Sequence, residues 1–220
     1  MKPEIIAILA IYAAFILVEI LFSSFFKKKE QVKSDGWVEF IGTIALTGFT
    51  QPLILFLAAG IMALLAPDLG GVLRDWPFWA GFLLFVVLDD MMQYWWHRIS
   101  HSVAWLYKLH RPHHNAGYMS VRLVYRNNLF YYLFMPALWF SGILIYMGLG
   151  RIYAVYIIIK MTIIIGAHSD IAWDKPLYKI KALKPVMWVV QRLISTPVTH
   201  HAHHGKHAAD GVTHYKGNFG

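Results

Sequence analysis

The chain has 220 residues, 58% of them hydrophobic and 15% charged, with a net charge of +8 and no cysteine. So large an apolar share exceeds what a soluble domain of this length can bury, which indicates a membrane protein. The absence of cysteine excludes disulfides, thiolate zinc sites and iron–sulfur ligation, so any metal must be held by nitrogen or oxygen.

In chain order, five apolar runs approach the roughly 20 helical residues needed to cross about 30 Å of hydrocarbon. They are Ile5–Phe26, Val38–Ala66, Pro77–Trp96, Leu129–Met147 and Ile152–Ala167. The expected fold is all-α, a polytopic bundle of about four to five spans with a cytoplasmic helical cap rich in histidine. The second run is longer than a span needs and carries Gln51-Pro52 in its middle, which predicts a kink or a tilt. Gly148-Leu149-Gly150-Arg151 divides the last two runs and reads as a tight helical hairpin. The first run is too long for a removable signal peptide and has no small-residue cleavage site. Residues 1–36 are read as an extra span with a basic loop, and residues 37–220 as the main membrane-embedded unit.

Lys and Arg next to the spans set orientation, because they are retained on the cytoplasmic side. Lys27, Lys28, Lys29 and Lys33 follow the first span, and Arg98, Lys108, Arg111, Arg122 and Arg126 follow the third. The tail carries Lys175, Lys179, Lys181, Lys184, Arg192, Lys206 and Lys216, whereas the intervening loops carry Arg74 and Arg151 alone. The N-terminus is therefore expected outside and the tail inside. Tryptophans near the span ends, including Trp76, Trp95, Trp96, Trp105, Trp173 and Trp188, suit membrane interfaces. The basic residues lie between apolar spans and not along an aromatic-basic surface, which points to anionic lipid headgroups and away from nucleic acid.

All twelve histidines lie after residue 96, and on this topology all are cytoplasmic. His97 and His101 form H-x-x-x-H at the end of the third span. His110, His113 and His114 form H-x-x-H-H, and His200, His203 and His204 form a second copy. His168 stands alone where the fifth span ends. Spacings of three and four let one helix present several ring nitrogens to a common centre. Pro112 resists a mid-helix position, so His110 is expected to precede a helix that starts near Pro112. Ser195-Thr196-Pro197 reads as a cap with proline at the first helical position, with His200, His203 and His204 on the opening turns.

One such histidine would be an ordinary interfacial polar residue, but three boxes in one chain point to metal. His97, His101, His110, His113, His114, His168, His200, His203 and His204 are nine candidate ligands, more than one ion can use and enough for two. His201, His207 and His214 fall outside the pattern. Imidazole suits iron, zinc, copper or nickel, so the ligand type does not choose the metal. All four glutamates, Glu4, Glu19, Glu30 and Glu39, precede the boxes, so the Glu-x-x-His pairs of ferritin-like di-iron bundles are absent. Asp89 and Asp90 can face the side of the third span that carries His97. They are read as acceptors for histidine N–H groups, the competing reading being pairing with Arg98 or Arg126 for helix packing. Asp170 and Asn218 are weaker candidates for the same role. Lys160 reads as a snorkelling or packing residue.

The run from Asp89 through Tyr94-Trp95-Trp96-His97-Arg98 to His101, then His110-Arg111-Pro112-His113-His114, then His200-His201-Ala202-His203-His204, resembles the fatty acid hydroxylase/sterol desaturase superfamily. The likeness covers about residues 40 to 220 and ends on Asn218-Phe219-Gly220. It implies a membrane-embedded enzyme with two iron ions, for which zinc can substitute in recombinant material. Molecular oxygen would be co-substrate for hydroxylation or desaturation of a lipid such as a fatty acyl chain or sterol. Electrons would come from a reductase with a ferredoxin or cytochrome b5-like protein. His168 matches the family's histidine between the second and third boxes, and the first span is an addition to the family's two-hairpin core.

Two other classes compete. A histidine-rich metal-binding or transport protein should place ligands near the midplane of several spans, where this sequence has few. A bis-histidine haem protein leaves the repeated boxes unexplained.

Overall fold

The computed structural model describes residues 3–26, 28 and 30–205. Lys27, Lys29, Lys206, His207, His214, Lys216 and Asn218-Phe219-Gly220 lie outside the described residues. Among the described residues every regular element is helical.

Helix α1 covers Pro3–Phe22. Asp35–Leu65 is one rod made of α2 (Asp35–Ala45), a π turn (Leu46–Thr50) and α3 (Gln51–Leu65). The predicted irregularity takes the form of that π turn, placed directly before Pro52, whose missing N–H cannot close an α turn. Helix α4 covers Phe78–Ser100, and α5 covers Ala104–His114. The expected span Leu129–Met147 is divided into α6 (Leu129–Leu133) and α7 (Pro136–Leu144). Pro136 disfavours the helical conformation at the residue before it, and Met135 adopts φ −72°, ψ 111°. Helix α8 covers Gly150–Ala167, followed by α9 (Lys184–Leu193) and α10 (Pro197–His204).

Pro3–Phe22, Asp35–Leu65 and Pro136–Ala167 are long and apolar enough to cross a membrane. The last of these folds back on itself. One carboxylate, that of Asp89, lies 3.5 Å from Ser141 Oγ and accepts a 2.7 Å bond from Tyr156. Residues 141 and 156 would stand about 22 Å apart on a straight helix. The reversal occurs at Gly148, whose φ of 113° suits glycine, so the hairpin read from the sequence is present. At this turn Gly71 and Leu73 N–H groups donate to the carbonyls of Tyr146 and Met147 at 3.1 and 2.7 Å, covering the π turn Ile145–Leu149 that follows α7.

The rods alternate in direction, and each has one end at the histidines. Near the Gly148 turn, Phe85, Leu144, Leu149, Ile152 and Tyr156 form one core. At the other end Tyr131, Met135 and Ala137 pack with Trp96 and Leu109, while Leu46, Val121, Val124, Tyr125, Met161 and Ile165 form a third cluster. Outward faces stay apolar, with Leu64 83% and Phe56 73% exposed. Such surface is stable against lipid and would aggregate in water.

Candidate metal centre

Helices α4, α5 and α10 and the end of α8 bring all nine singled-out histidines together, in two groups. His97, His101, His110, His114 and His203 form one; His113, His168, His200 and His204 form the other. Within each group, one ring nitrogen from each histidine lies within 4.8 Å of those of the others. The H-x-x-H-H motif explains the division. At about 100° per residue, positions i and i+4 nearly share a face while i+3 turns to the opposite side of it. His110 and His114 thus serve the first group and His113 the second. In α10 the allocation is reversed, with His200 and His204 in the second group and His203 in the first.

Pro112 does not begin a helix as expected. Helix α5 starts at Ala104 and runs through it, so His110 is helical. Pro112 sits in the last turn, where only the bond to the Lys108 carbonyl is lost, and Arg126 Nε donates to the Pro112 carbonyl at 3.0 Å. Helix α10 starts as its sequence indicates. Thr196 and Thr199 form a reciprocal capping box with Pro197 at the first helical position, and the buried Asp174 accepts from Val198 N–H at 3.2 Å.

In the second group four Nε2 atoms close a ring. His113–His168, His168–His200, His200–His204 and His204–His113 are 3.2, 2.9, 3.2 and 3.1 Å apart. His113 Nδ1 lies 3.0 Å from the Leu123 carbonyl and His168 Nδ1 lies 2.7 Å from that of Ile164. A carbonyl only accepts, so both Nδ1 atoms carry the proton. Burial lowers the pKa of His168 to about 4 and that of His113 well below the usual value, so both rings are neutral. Their bare Nε2 lone pairs therefore face each other at 3.2 Å, a repulsive arrangement that a cation converts into ligation. Two imidazoles on one ion at about 2.0–2.1 Å, at right to tetrahedral angles, place their nitrogens roughly 2.9–3.4 Å apart. The donor set fits a metal. The first group shows the same spacing, with His110–His114 and His97–His203 both at 3.1 Å.

The rings are oriented by groups that the sequence did not single out. Besides the Leu123 and Ile164 carbonyls, Asn127 Oδ1 lies 3.0 Å from His110 Nδ1, and Tyr131 stacks on the His110 ring with centroids 4.7 Å apart. An asparagine 17 residues from its histidine leaves little trace in spacing, and a backbone carbonyl leaves none.

The aspartates read as partners for histidine N–H groups are placed elsewhere. Asp89 is bound by Tyr156, Lys160 and Ser141 within the helix bundle. Its cationic partner is Lys160, not Arg98 or Arg126. Asp90 is exposed on α4. Asp170 pairs with Lys28 at 2.7 Å and with Ser23, which ties the end of α8 to the segment after α1. Asn218 lies outside the described residues. His201, outside both groups, bonds the Ser169 carbonyl at 2.7 Å.

The glutamates precede the boxes in sequence, but two fold back toward this layer. Glu19 is fully buried and accepts from Ser120 Oγ, Val121 N–H and Asp170 N–H at 2.6, 3.0 and 2.9 Å. Glu39 pairs with Arg122 and Arg126, and Asp35 pairs with Arg126 at 2.8 Å.

Apolar helices ending on a layer of largely buried imidazoles fit a membrane protein with a two-part histidine site for metal. The chain belongs to the fatty acid hydroxylase family, whose sequence profile matches residues 82–220, a stretch that includes all three boxes and His168. It is accordingly an integral membrane oxidoreductase by family. No curated protein and no solved structure matches the chain.

Proposed function

We propose that this protein crosses the membrane several times and holds two iron ions, one in each histidine group. It would use molecular oxygen to hydroxylate a membrane lipid such as a fatty acyl chain or sterol, with desaturation as the variant outcome. The observation that carries this reading is the division of nine imidazoles into groups of five and four at the ends of apolar helices. Iron, when bound, supplies the oxygen-activating redox chemistry. The chain's residues keep the donors usable. Burial disfavours the protonated form of His110, His113, His114, His168, His200 and His204, and carbonyl and Asn127 contacts fix which nitrogen of His110, His113 and His168 faces inward. Tyr131, Met135 and Trp96 beside the layer limit access of water to it.

In hydroxylation a lipid C–H bond is replaced by C–O with one oxygen atom, and the second leaves as water. The balance takes two electrons and two protons. The electrons come from a separate donor, a reductase with a ferredoxin or cytochrome b5-like protein. That donor would act from the cytoplasm, an orientation supported by Lys28, Arg98, Lys108, Arg111, Arg122 and Arg126 at or beside the histidine end against Arg74 and Arg151 near the Gly148 turn. Cysteine labelling beside Arg74 and beside His114 checks it, since labelling from one and the same side would reverse the assignment. The transport reading draws no support from the midspan, where Asp89, Lys160 and Tyr156 are engaged with one another.

The decisive experiment supplies labelled oxygen gas, a reductase system and membrane lipids to iron-loaded protein. Hydroxylation should place the label in the lipid; desaturation should give an unlabelled double bond. Zinc-loaded protein should be inactive. Lipid oxidation that continued without oxygen or without reductant would sink the proposal.

A further inference from the structure

Between the end of α8 and the third histidine box lies a segment that the metal centre does not use. Its helix α9 packs chiefly on the two turns that precede it, Leu177–Lys179 and Lys181–Leu183. Met187 is buried on its inner side. Val186, Val189 and Leu193, at i, i+3 and i+7, form an exposed aliphatic stripe, 54, 46 and 69% accessible. Trp188 is exposed beside it with the Arg192 guanidinium stacked 3.7 Å over its ring. Ile180 and Trp173 are exposed in the approach to the helix. Lys175, Lys179, Lys181, Lys184 and Arg192 are all exposed, and no acidic residue occurs from Lys175 to Gly205.

We infer that α9 is a membrane-surface anchor that lies on anionic phospholipid headgroups of the leaflet at the histidine end, its aliphatic stripe set at the acyl boundary. The chemistry calls for both halves of such a surface. Headgroup anions satisfy five cations on a stretch that is free of acidic residues from Lys175 to Gly205, and acyl carbon covers a stripe that the protein leaves bare. A soluble acidic partner would answer the lysines but would need a matching apolar ridge for Val186, Val189 and Leu193. The Trp188–Arg192 stack places an amphipathic ring and a cation together, as suits the headgroup level. Because α10 starts at Pro197, four residues after α9 ends at Leu193, the lipid surface would also help set the position of His200, His203 and His204. The inference rests on membrane insertion of the chain and is independent of the oxygen chemistry.

The absence of native cysteine allows single labels. Val189→Cys and Leu193→Cys, with Ser102→Cys in the exposed turn after α4 as reference, would carry nitroxides in the full-length chain. The probe is the nanodisc lipid itself, either pure phosphatidylcholine or phosphatidylcholine with phosphatidylserine at about three to one. In the mixed lipid, collision with a water-soluble nickel chelate should be several-fold weaker at positions 189 and 193 than at 102, and collision with oxygen stronger. Pure phosphatidylcholine should shrink the difference, as should changing Lys179, Lys181 and Lys184 to Gln. Accessibility equal to that of position 102 in both lipids overturns the inference. So does protection of the same size in both lipids, or protection that arises only when a soluble cytochrome b5-like protein is added.

Discussion

Helices α5 and α10 carry the same H-x-x-H-H motif and are held from opposite ends. The α5 motif is gripped at its C-terminal turn by the segment that follows it. Arg126 bonds the Pro112 carbonyl, the Leu123 carbonyl meets His113 Nδ1, and Asn127 meets His110 Nδ1. The α10 motif is held at its N-terminus, by the Thr196–Thr199 box and by Asp174, while Nδ1 of the buried His200 has no hydrogen-bond partner among the described residues. In α5 the orientations of His110 and His113 are each fixed by an acceptor. In α10 the cap and Asp174 act on the backbone, which carries His200, His203 and His204 into place. Identical spacing can therefore be supported by unlike means, and the two should fail differently when those supports are removed.

The largest difference is expected at Arg126, a nearly buried cation paired with Asp35 at 2.8 Å and facing Glu39 at 3.5 Å. Arg126→Met leaves two buried carboxylates without it and should cost about 3–5 kcal/mol. Thermal unfolding in detergent reads this, and a change within error would show that the clamp does not support α5.

Acidification should act on both motifs together. Burial pushes His113, His200 and His204 well below the ordinary histidine pKa and His168 down to about 4. Unfolded rings take up protons below about pH 6.5, and these folded rings do not until far lower. Stability of the metal-free protein is then full above that pH and falls as pH drops through the window toward 4. Melting curves of metal-free protein at about pH 7.5 and about pH 5 should separate clearly. Coincident curves would mean that the rings are not held neutral.

A smaller and more selective effect belongs to Asn127. Asn127→Ala should weaken metal binding by about 10–100-fold with little change in melting, and Asn127→Asp, which keeps the acceptor, should restore much of it. Metal competition titrations decide, with His201→Ala as a variant that should bind as wild type. The smallest change is expected at the α10 cap. Asp174→Ala removes one acceptor for a helix N-terminus, worth about 0.5–2 kcal/mol. Its signature should be loosening of the whole of α10, measured as faster amide exchange from Val198 onward. Exchange left unaltered would argue against support by the cap.

The sequence carried the motifs that rest on local rules. The i, i+4 pairs, the cap at Thr196, the reversal at Gly148 and the irregularity before Pro52 all follow from helix period or from the covalent limits of Gly and Pro. Pro112 misled because its cost depends on position, and in a final turn it removes a single bond. The break at Pro136 was missed because apolar residues continue through it. Asp89 was read toward the histidines because sequence distance along α4 is all that is visible there; its choice of Tyr156 and Lys160 depends on how α8 packs against α4. The acceptors behind the rings were hidden for a different reason, since two of the three are backbone carbonyls.

Glu19 shows where the physical unit ends. The family profile begins at residue 82, so an expression fragment drawn to that profile would omit α1. Yet the carboxylate of Glu19 is the acceptor for backbone N–H groups at Val121 and Asp170, which flank the segments carrying Leu123 and His168. Without α1 those two amides lose this acceptor, beside the residues that orient His113 and His168. The N-terminal helix is thus a structural brace for loops it does not adjoin in sequence, and a fragment cut at residue 82 should hold His113 and His168 less firmly than the whole chain.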